Sequence, residues 1–229
     1  MSLRGRRILV SAGPTFEDID PVRFIGNRSS GKMGFAIAES AARQGAEVVL
    51  VAGPVSLPIP PGVTRIDVRS AAQMHAAVMA ALPADVYIGA AAVADFTPLS
   101  VAPGKIKKQA GMDTLVLELV RTPDILAEVA VHPLRPRLVV GFAAETDHVE
   151  QYARGKLEKK KLDLIAANRV GVEGSGFESD DNALVVYGRD GFERALGPAP
   201  KTELAGYLLE LISARLAEMP APPADGAHR

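Results

Sequence analysis

The chain has 229 residues, 48% hydrophobic and 23% charged, with a formal net charge of −1. This is the profile of a soluble globular protein, long enough for one large domain or a domain with an appended subdomain, and it offers no global electrostatic pull toward nucleic acid or anionic membrane. The absence of cysteine excludes disulfides, thiolate metal sites and a Cys nucleophile and fits a reducing compartment, and His75, His132, His148 and His228 form no paired pattern for zinc.

Residues 1–7 are too short and polar for a signal peptide. The start, almost directly into a buried strand, suggests a trimmed chain or a small standalone domain. No apolar run approaches the roughly 18 residues needed to span a membrane. Residues 8–12 (ILVSA) read as a strand ending at Gly13-Pro14, and residues 14–30 as an irregular segment. A helix starts near Gly31, with Phe35, Ile37, Ala38, Ala41 and Ala42 on its apolar face and Gly45 as its C-terminal cap. Strands follow at 47–52 and 64–68, and Ser70 caps a helix that runs to about Leu82. Residues 85–92 (DVYIGAAA) are nearly continuously apolar, as a central strand buried on both faces should be.

Residues 96–113 form a long polar excursion, read as a lid or dimer arm, and 115–120 (LVLELV) alternate like a strand. Pro123 is placed in the first turn of a helix to about Val131. Then come a strand at 138–142, a helix at 149–161, strands at 162–166 and 183–187, and an amphipathic closing helix at 203–219. The Pro/Ala-rich residues 220–229 read as a disordered tail. Strand–helix alternation predicts one α/β domain over 1–219: a doubly wound, mostly parallel, Rossmann-like sheet with helices on both faces. In such sheets ligands sit beyond the carboxyl ends of the strands.

Five segments bear on chemistry. GNRSSGKM (26–33) nearly matches a phosphate-binding loop, but Met33 replaces the Mg²⁺-holding hydroxyl and the loop lies well beyond the first strand. Ser29, Ser30 and Gly31 still present N–H groups and hydroxyls at a helix N-terminus, which suits an anion and equally an ordinary Ser cap. No G-x-G-x-x-G follows the first strand, which counts against a nicotinamide-dependent reductase. In AAAVAD (90–95), small residues allow close backbone approach, and Asp95 suits a sugar hydroxyl, a metal or a helix cap. KIKK (105–108) sets Lys105 and Lys107 on one face, fitting a triphosphate or a solvated hairpin. Lys156 and Lys160 share a helix face, fitting an anion between them or a solvated lysine face.

Together these segments resemble the phosphopantothenoylcysteine synthetase (phosphopantothenate–cysteine ligase) family. The resemblance covers nearly all of residues 7–217 through SAGPT (11–15), DPVRFIGNRSSGKMGFAIA (20–38), VAGPVSLPIPPGV (51–63), AAAVADF (90–96), KIKKQ (105–109), VGFAAET (140–146) and SDDNALVV (179–186). It implies a two-step ligation: the carboxylate of 4′-phosphopantothenate attacks the α-phosphate of CTP, and L-cysteine then displaces CMP from the acyl-cytidylate. Mg²⁺ is implied through the CTP phosphates, with no protein ligand specified. Asn27 matches the asparagine that handles the acyl intermediate, Arg23 the arginine upstream of it, and Lys105 the lysine needed to form the acyl-cytidylate. Ser29, Ser30 and Gly31 would receive the substrate phosphate, leaving the triphosphate to Lys105 and the later lysines. Gly89, Ala90, Ala91, Asp95, Pro123, Asp124, Ile125, Leu126, Phe142, Lys156 and Lys160 match nucleotide-site positions. The resemblance further implies a cytoplasmic homodimer, with no nucleic-acid or membrane partner. In many bacteria such a domain is fused behind a flavin-dependent decarboxylase, and the resemblance includes nothing of that half. The preference for CTP over ATP rests on the resemblance alone.

Overall fold

Alternating burial in the first strand sets the layout. β1 (Arg7–Ala12) sends Ile8, Val10 and Ala12 into one apolar cluster and Leu9 into another, as the two-residue side-chain period of a strand requires. The computed structural model describes residues 3–108, 113–145, 147–169 and 180–220, apart from the side chain of Arg169. After β1 come β2 (Phe16–Asp18), β3 (Phe24–Gly26), α1 (Lys32–Arg43), β4 (Glu47–Ala52), β5 (Val63–Asp67) and α2 (Ala71–Ala80). The middle of the chain adds β6 (Val86–Gly89), β7 (Phe96–Pro98), β8 (Leu119–Arg121), α3 (Ile125–Val131) and β9 (Leu138–Glu145). The last third holds α4 (Val149–Lys159), β10 (Leu164–Arg169), β11 (Asp181–Gly188), β12 (Glu193–Pro200) and α5 (Lys201–Glu218).

Eight strands form one sheet in the order β12-β11-β10-β9-β6-β1-β4-β5. The six strands from β10 to β5 are parallel neighbours, and β11 and β12 pair antiparallel at the edge. The chain winds outward from β1 through β4 and β5, then returns to the other side of β1 with β6, β9 and β10. Strand order therefore reverses between β1 and β6, the switch point at which doubly wound sheets open a crevice.

The two faces have separate cores. On one, Val10, Ile88, Val140 and Ala166 meet Phe35 and Ile37 of α1 and Leu208 and Ile212 of α5. On the other, Leu9, Tyr87, Val139 and Ile165 meet Met74 and Val78 of α2, Ile125 and Val129 of α3, and Ala153 and Leu157 of α4. The predicted α/β sheet with helices on both faces is thus the observed one.

α1 starts with Gly31 in the left-handed region (φ 74°), a conformation that favours glycine. Within its first turn, a Cβ on Gly34 would stand 2.4 Å from the Ala12 Cβ, so α1 lies directly on the end of β1. This close seating brings the helix N-terminus to the switch point.

Several local expectations are corrected. Residues 14–30 are not wholly irregular, because β2 and β3 form a short antiparallel hairpin. The strand expected at 115–120 is only β8, three exposed residues that pair with β7 outside the main sheet. α3 starts at Ile125 with Asp124 as its cap, so Pro123 lies before the helix. β10 begins at Leu164 rather than 162, and β9 runs on to Glu145. β12 was not expected at all. The arm at 96–113 is described except for 109–112, and Thr146, Ser179 and the tail residues 221–229 also lie outside the described residues. Among the described residues, no helix is long and apolar enough to cross a membrane.

Candidate active site

The carboxyl ends of β1, β6, β9 and β10 open into a cleft of about 880 Å³. Its depth is set by Tyr87, buried in β6, whose hydroxyl lies 2.9 Å from Ser11 Oγ in β1. Burial pushes the Tyr87 phenol well above the ordinary tyrosine range against the opposing Ser11 hydrogen bond, and the nearby Asp124 carboxylate pushes the same way. The ring therefore stays neutral and presents a hydrogen-bonding tip.

Residues 90–95 are tied down on both sides. The Ala92 N–H donates to Gly13 O at 2.9 Å, the Ala94 N–H to Thr15 Oγ1 at 3.0 Å, and the Thr122 hydroxyl to Ala94 O at 2.6 Å. Asn27 joins this wall: its amide Nδ2 donates to Val93 O at 2.9 Å. Asn27, Asp95 and the small residues Ala90 and Ala91 are thus held together around one rim.

Of the residues expected at the site, Asn27, Ser29, Ser30 and Gly31 line the cleft on the α1 side. Gly89, Ala90, Ala91 and Asp95 line its middle. Pro123, Asp124, Ile125 and Leu126, at the start of α3, line the opposite side with Phe142, Lys156 and Lys160. On that side Lys160 Nζ is 2.9 Å from Asp124 Oδ2 and Lys156 Nζ is 3.3 Å from Glu145 Oε1. The two lysines do not simply repel across a solvated face, because each has its own carboxylate.

Arg23 and Lys105 are not among the lining residues. Arg23 instead belongs to a clamp around Asp20, whose side chain is fully buried. The Arg23 Nε donates to Asp20 Oδ2 at 3.0 Å, and the backbone N–H groups of Val22 and Arg23 each donate to Oδ1 at 2.8 Å. The same carboxylate accepts from the Ile106 N–H at 3.1 Å, while Arg23 Nη2 donates to Ile106 O at 2.8 Å. The residue after Lys105 is thus fastened to the β2–β3 hairpin, which leads directly to Asn27.

Burial opposes ionisation of Asp20, but hydrogen bonds from Arg23 and from the amides of Ile106, Val22 and Arg23 outweigh it and hold the carboxyl far below the usual range. A depressed folded pKa contributes stability above the unfolded value of about 3.9, and that contribution is lost as pH falls toward the folded pKa. The difference in urea midpoint between wild type and Asp20→Asn should therefore be full at neutral pH and shrink below about pH 4. A difference independent of pH would contradict this role for the carboxylate.

Several lining residues escaped sequence reasoning: Ser11, Tyr87, Arg121, Asn168, Asn182 and Lys201. Asn168 lies near the end of β10 and was reachable by the strand-end rule, had that strand been placed two residues later. Lys201 gave no signal, because it is far in sequence from the other basic clusters. Among the described residues no group of three or more His, Asp or Glu side chains could hold a metal ion.

Residues 3–216 match the family described as DNA/pantothenate metabolism flavoprotein C-terminal domain. The coenzyme A biosynthesis bifunctional protein CoaBC of Vibrio cholerae is 52% identical over 211 residues, covering 92% of this chain and 53% of that protein. The CoaBC protein of Escherichia coli K12 is 54% identical over 209 residues, covering 90% and 51%. The chain thus spans about half the length of these relatives. The crystal structure of a C-terminal domain of CoaBC superposes with a TM-score of 0.80 at 42% identity, covering 94% of this chain and 98% of that one.

Proposed function

Because this chain belongs to the DNA/pantothenate metabolism flavoprotein C-terminal domain family, we propose that it is a phosphopantothenate–cysteine ligase of coenzyme A biosynthesis. The observation that carries the proposal, beyond family membership, is the gathering of Asn27, the Ser29–Gly31 N–H groups and the expected nucleotide positions around one cleft.

A carboxylate resists attack by an amine, so the reaction needs a better leaving group. In the first step a carboxylate oxygen of 4′-phosphopantothenate bonds to the α-phosphorus of CTP, the bond to the bridging oxygen breaks, and pyrophosphate leaves. In the second step the amine of L-cysteine bonds to the acyl carbon, loses a proton, and expels CMP. Phe142 and the start of α3 would hold the base and ribose, with Lys156 and Lys160 flanking the nucleotide. Lys105 would favour formation of the acyl-cytidylate. Asn27 would donate to the acyl oxygen as it gains charge. Ser29, Ser30 and Gly31 would hold a phosphate at the positive end of α1. Mg²⁺ would neutralise the triphosphate. The described residues supply no acidic cage for it, so it would be held mainly by the phosphates, with Asp95 as the lining carboxylate within the nucleotide positions.

The test is pyrophosphate release in the presence of CTP, Mg²⁺, 4′-phosphopantothenate and L-cysteine. No release with either CTP or ATP sinks the reading.

The chain is further proposed to act in the cytoplasm as a homodimer, alongside or fused to a flavin-dependent decarboxylase like that implied for its bifunctional relatives. The dimer is supported by exposed apolar side chains on both small hairpins: Phe24 (45%), Phe96 (45%) and Val120 (38%), with Val116 (87%) beside them. Apolar groups in such number favour a covering partner. Sedimentation at micromolar concentration should show a dimer, and monomer alone would contradict it.

A further inference from the structure

The cleft has a second basic end that the ligase reading leaves unassigned. Lys201 is the first residue of α5, and Lys32 is the first residue of α1. Both line the cleft. They belong to the face covered by α1 and α5, whereas Lys156 and Lys160 come from α4 on the other face. The cleft therefore runs over the edge of the sheet from one basic end to the other.

Four observations meet at this second end. Lys201 is buried, only 6% exposed, although lysine heads normally remain in water. Both helices begin without a side-chain cap, at Gly31 and Pro200, so their N-terminal dipoles face the same region. Asn168 and Asn182, each 8% exposed, add buried amides to the lining. Finally, Lys32 and Lys201 lie close enough to repel. Burial, then that repulsion, lowers the proton affinity of Lys201, against the opposing pull of Asp180. Asp180 itself pairs with Lys32 at 2.7 Å. Two ammonium groups, one buried, beside two helix N-termini are stabilised by an anion with several acceptor oxygens.

We propose that Lys201, with Lys32 and the N-terminus of α1, forms a phosphate subsite at the α1–α5 end of the cleft. The proposal rests on the ligase reading for its ligands, which offer two sources of the same chemistry. One is the terminal phosphates of the nucleotide, released as pyrophosphate. The other is the phosphate monoester of 4′-phosphopantothenate.

The experiment is calorimetric titration of inorganic pyrophosphate, 4′-phosphopantothenate and CMP into wild type, Lys201→Gln and Lys201→Arg. Loss of one charge-assisted contact should weaken the phosphate ligand about tenfold to a hundredfold in Lys201→Gln. Lys201→Arg should retain most of the affinity, and CMP should bind all three alike. A loss confined to pyrophosphate assigns the subsite to the nucleotide tail, and a loss confined to 4′-phosphopantothenate assigns it to the acyl substrate. Unchanged binding of both in Lys201→Gln overturns the subsite. If that variant fails to fold, Lys32→Gln, at a half-exposed position, takes the same test with the same outcomes. Failure of the ligase reading looks different: wild type would then bind none of the three ligands.

Discussion

Asn27→Asp should still release pyrophosphate from CTP but lower overall ligation by about a hundredfold to a thousandfold, the range seen when one donor to a developing oxyanion is removed. The substitution keeps the shape of the side chain and exchanges an amide for a carboxylate. In the wild type one Nδ2 hydrogen is spent on Val93 O at 2.9 Å, which fixes the amide plane against the wall of the cleft. A carboxylate there would face that carbonyl acceptor to acceptor, and its charge would oppose the negative oxygen formed when cysteine attacks the acyl carbon. The first step builds charge at phosphorus, away from this amide, and should be spared. Asn27 is exposed, so the folded state should tolerate the change. Rapid-quench analysis should therefore find acyl-cytidylate accumulating on the variant. Normal overall turnover would refute the role.

Why Asn27 was readable from sequence, and Lys201 was not, follows from how each is positioned. Asn27 sits in a continuous segment that runs from the β2–β3 hairpin into α1, so the motif and the helix N-terminus lie together in the chain. Lys201 reaches the cleft only because α5 packs beside α1 on the same sheet face, a tertiary relation with no local signature. The same contrast holds for the fold. β1, β4, β6 and β9 are apolar runs buried on both faces, and their composition identifies them. β2 and β3 are three residues each, and what holds them is specific and distant: Phe16 stacks on Phe24 with ring centroids 3.9 Å apart, and Arg69 lies over both rings while pairing with Asp18. β12 reads ERALGPAP, a composition that argues against a strand. It is tolerated because an edge strand leaves one side of its backbone unpaired. Strand existence was legible where burial dictated composition, and illegible where side-chain clamps or an edge position replaced burial.

Lys105→Gln should act on the opposite half of the reaction, lowering pyrophosphate release by about a hundredfold or more, as expected for loss of a cation that stabilises charge in the transition state. Lys105 is exposed and does not line the cleft, so its effect must be exerted from the arm. The Asp20–Arg23 clamp makes this physically reasonable. Ile106 is held through its N–H by Asp20 and through its carbonyl by Arg23, which fixes the backbone beside Lys105 and leaves the long side chain outside. Arg23 would then serve catalysis by positioning the arm. Two measurements separate a charge effect from a binding effect. If Lys105 stabilises only the transition state, kcat for pyrophosphate release should fall while the affinity for CTP stays near wild type; a fall in affinity with unchanged kcat would mean uniform binding instead. Asp20→Asn keeps the lysine but loosens its anchor, so it should give a smaller loss in the same step. Unimpaired pyrophosphate release in Lys105→Gln would remove Lys105 from the first step and leave the clamp a purely structural device.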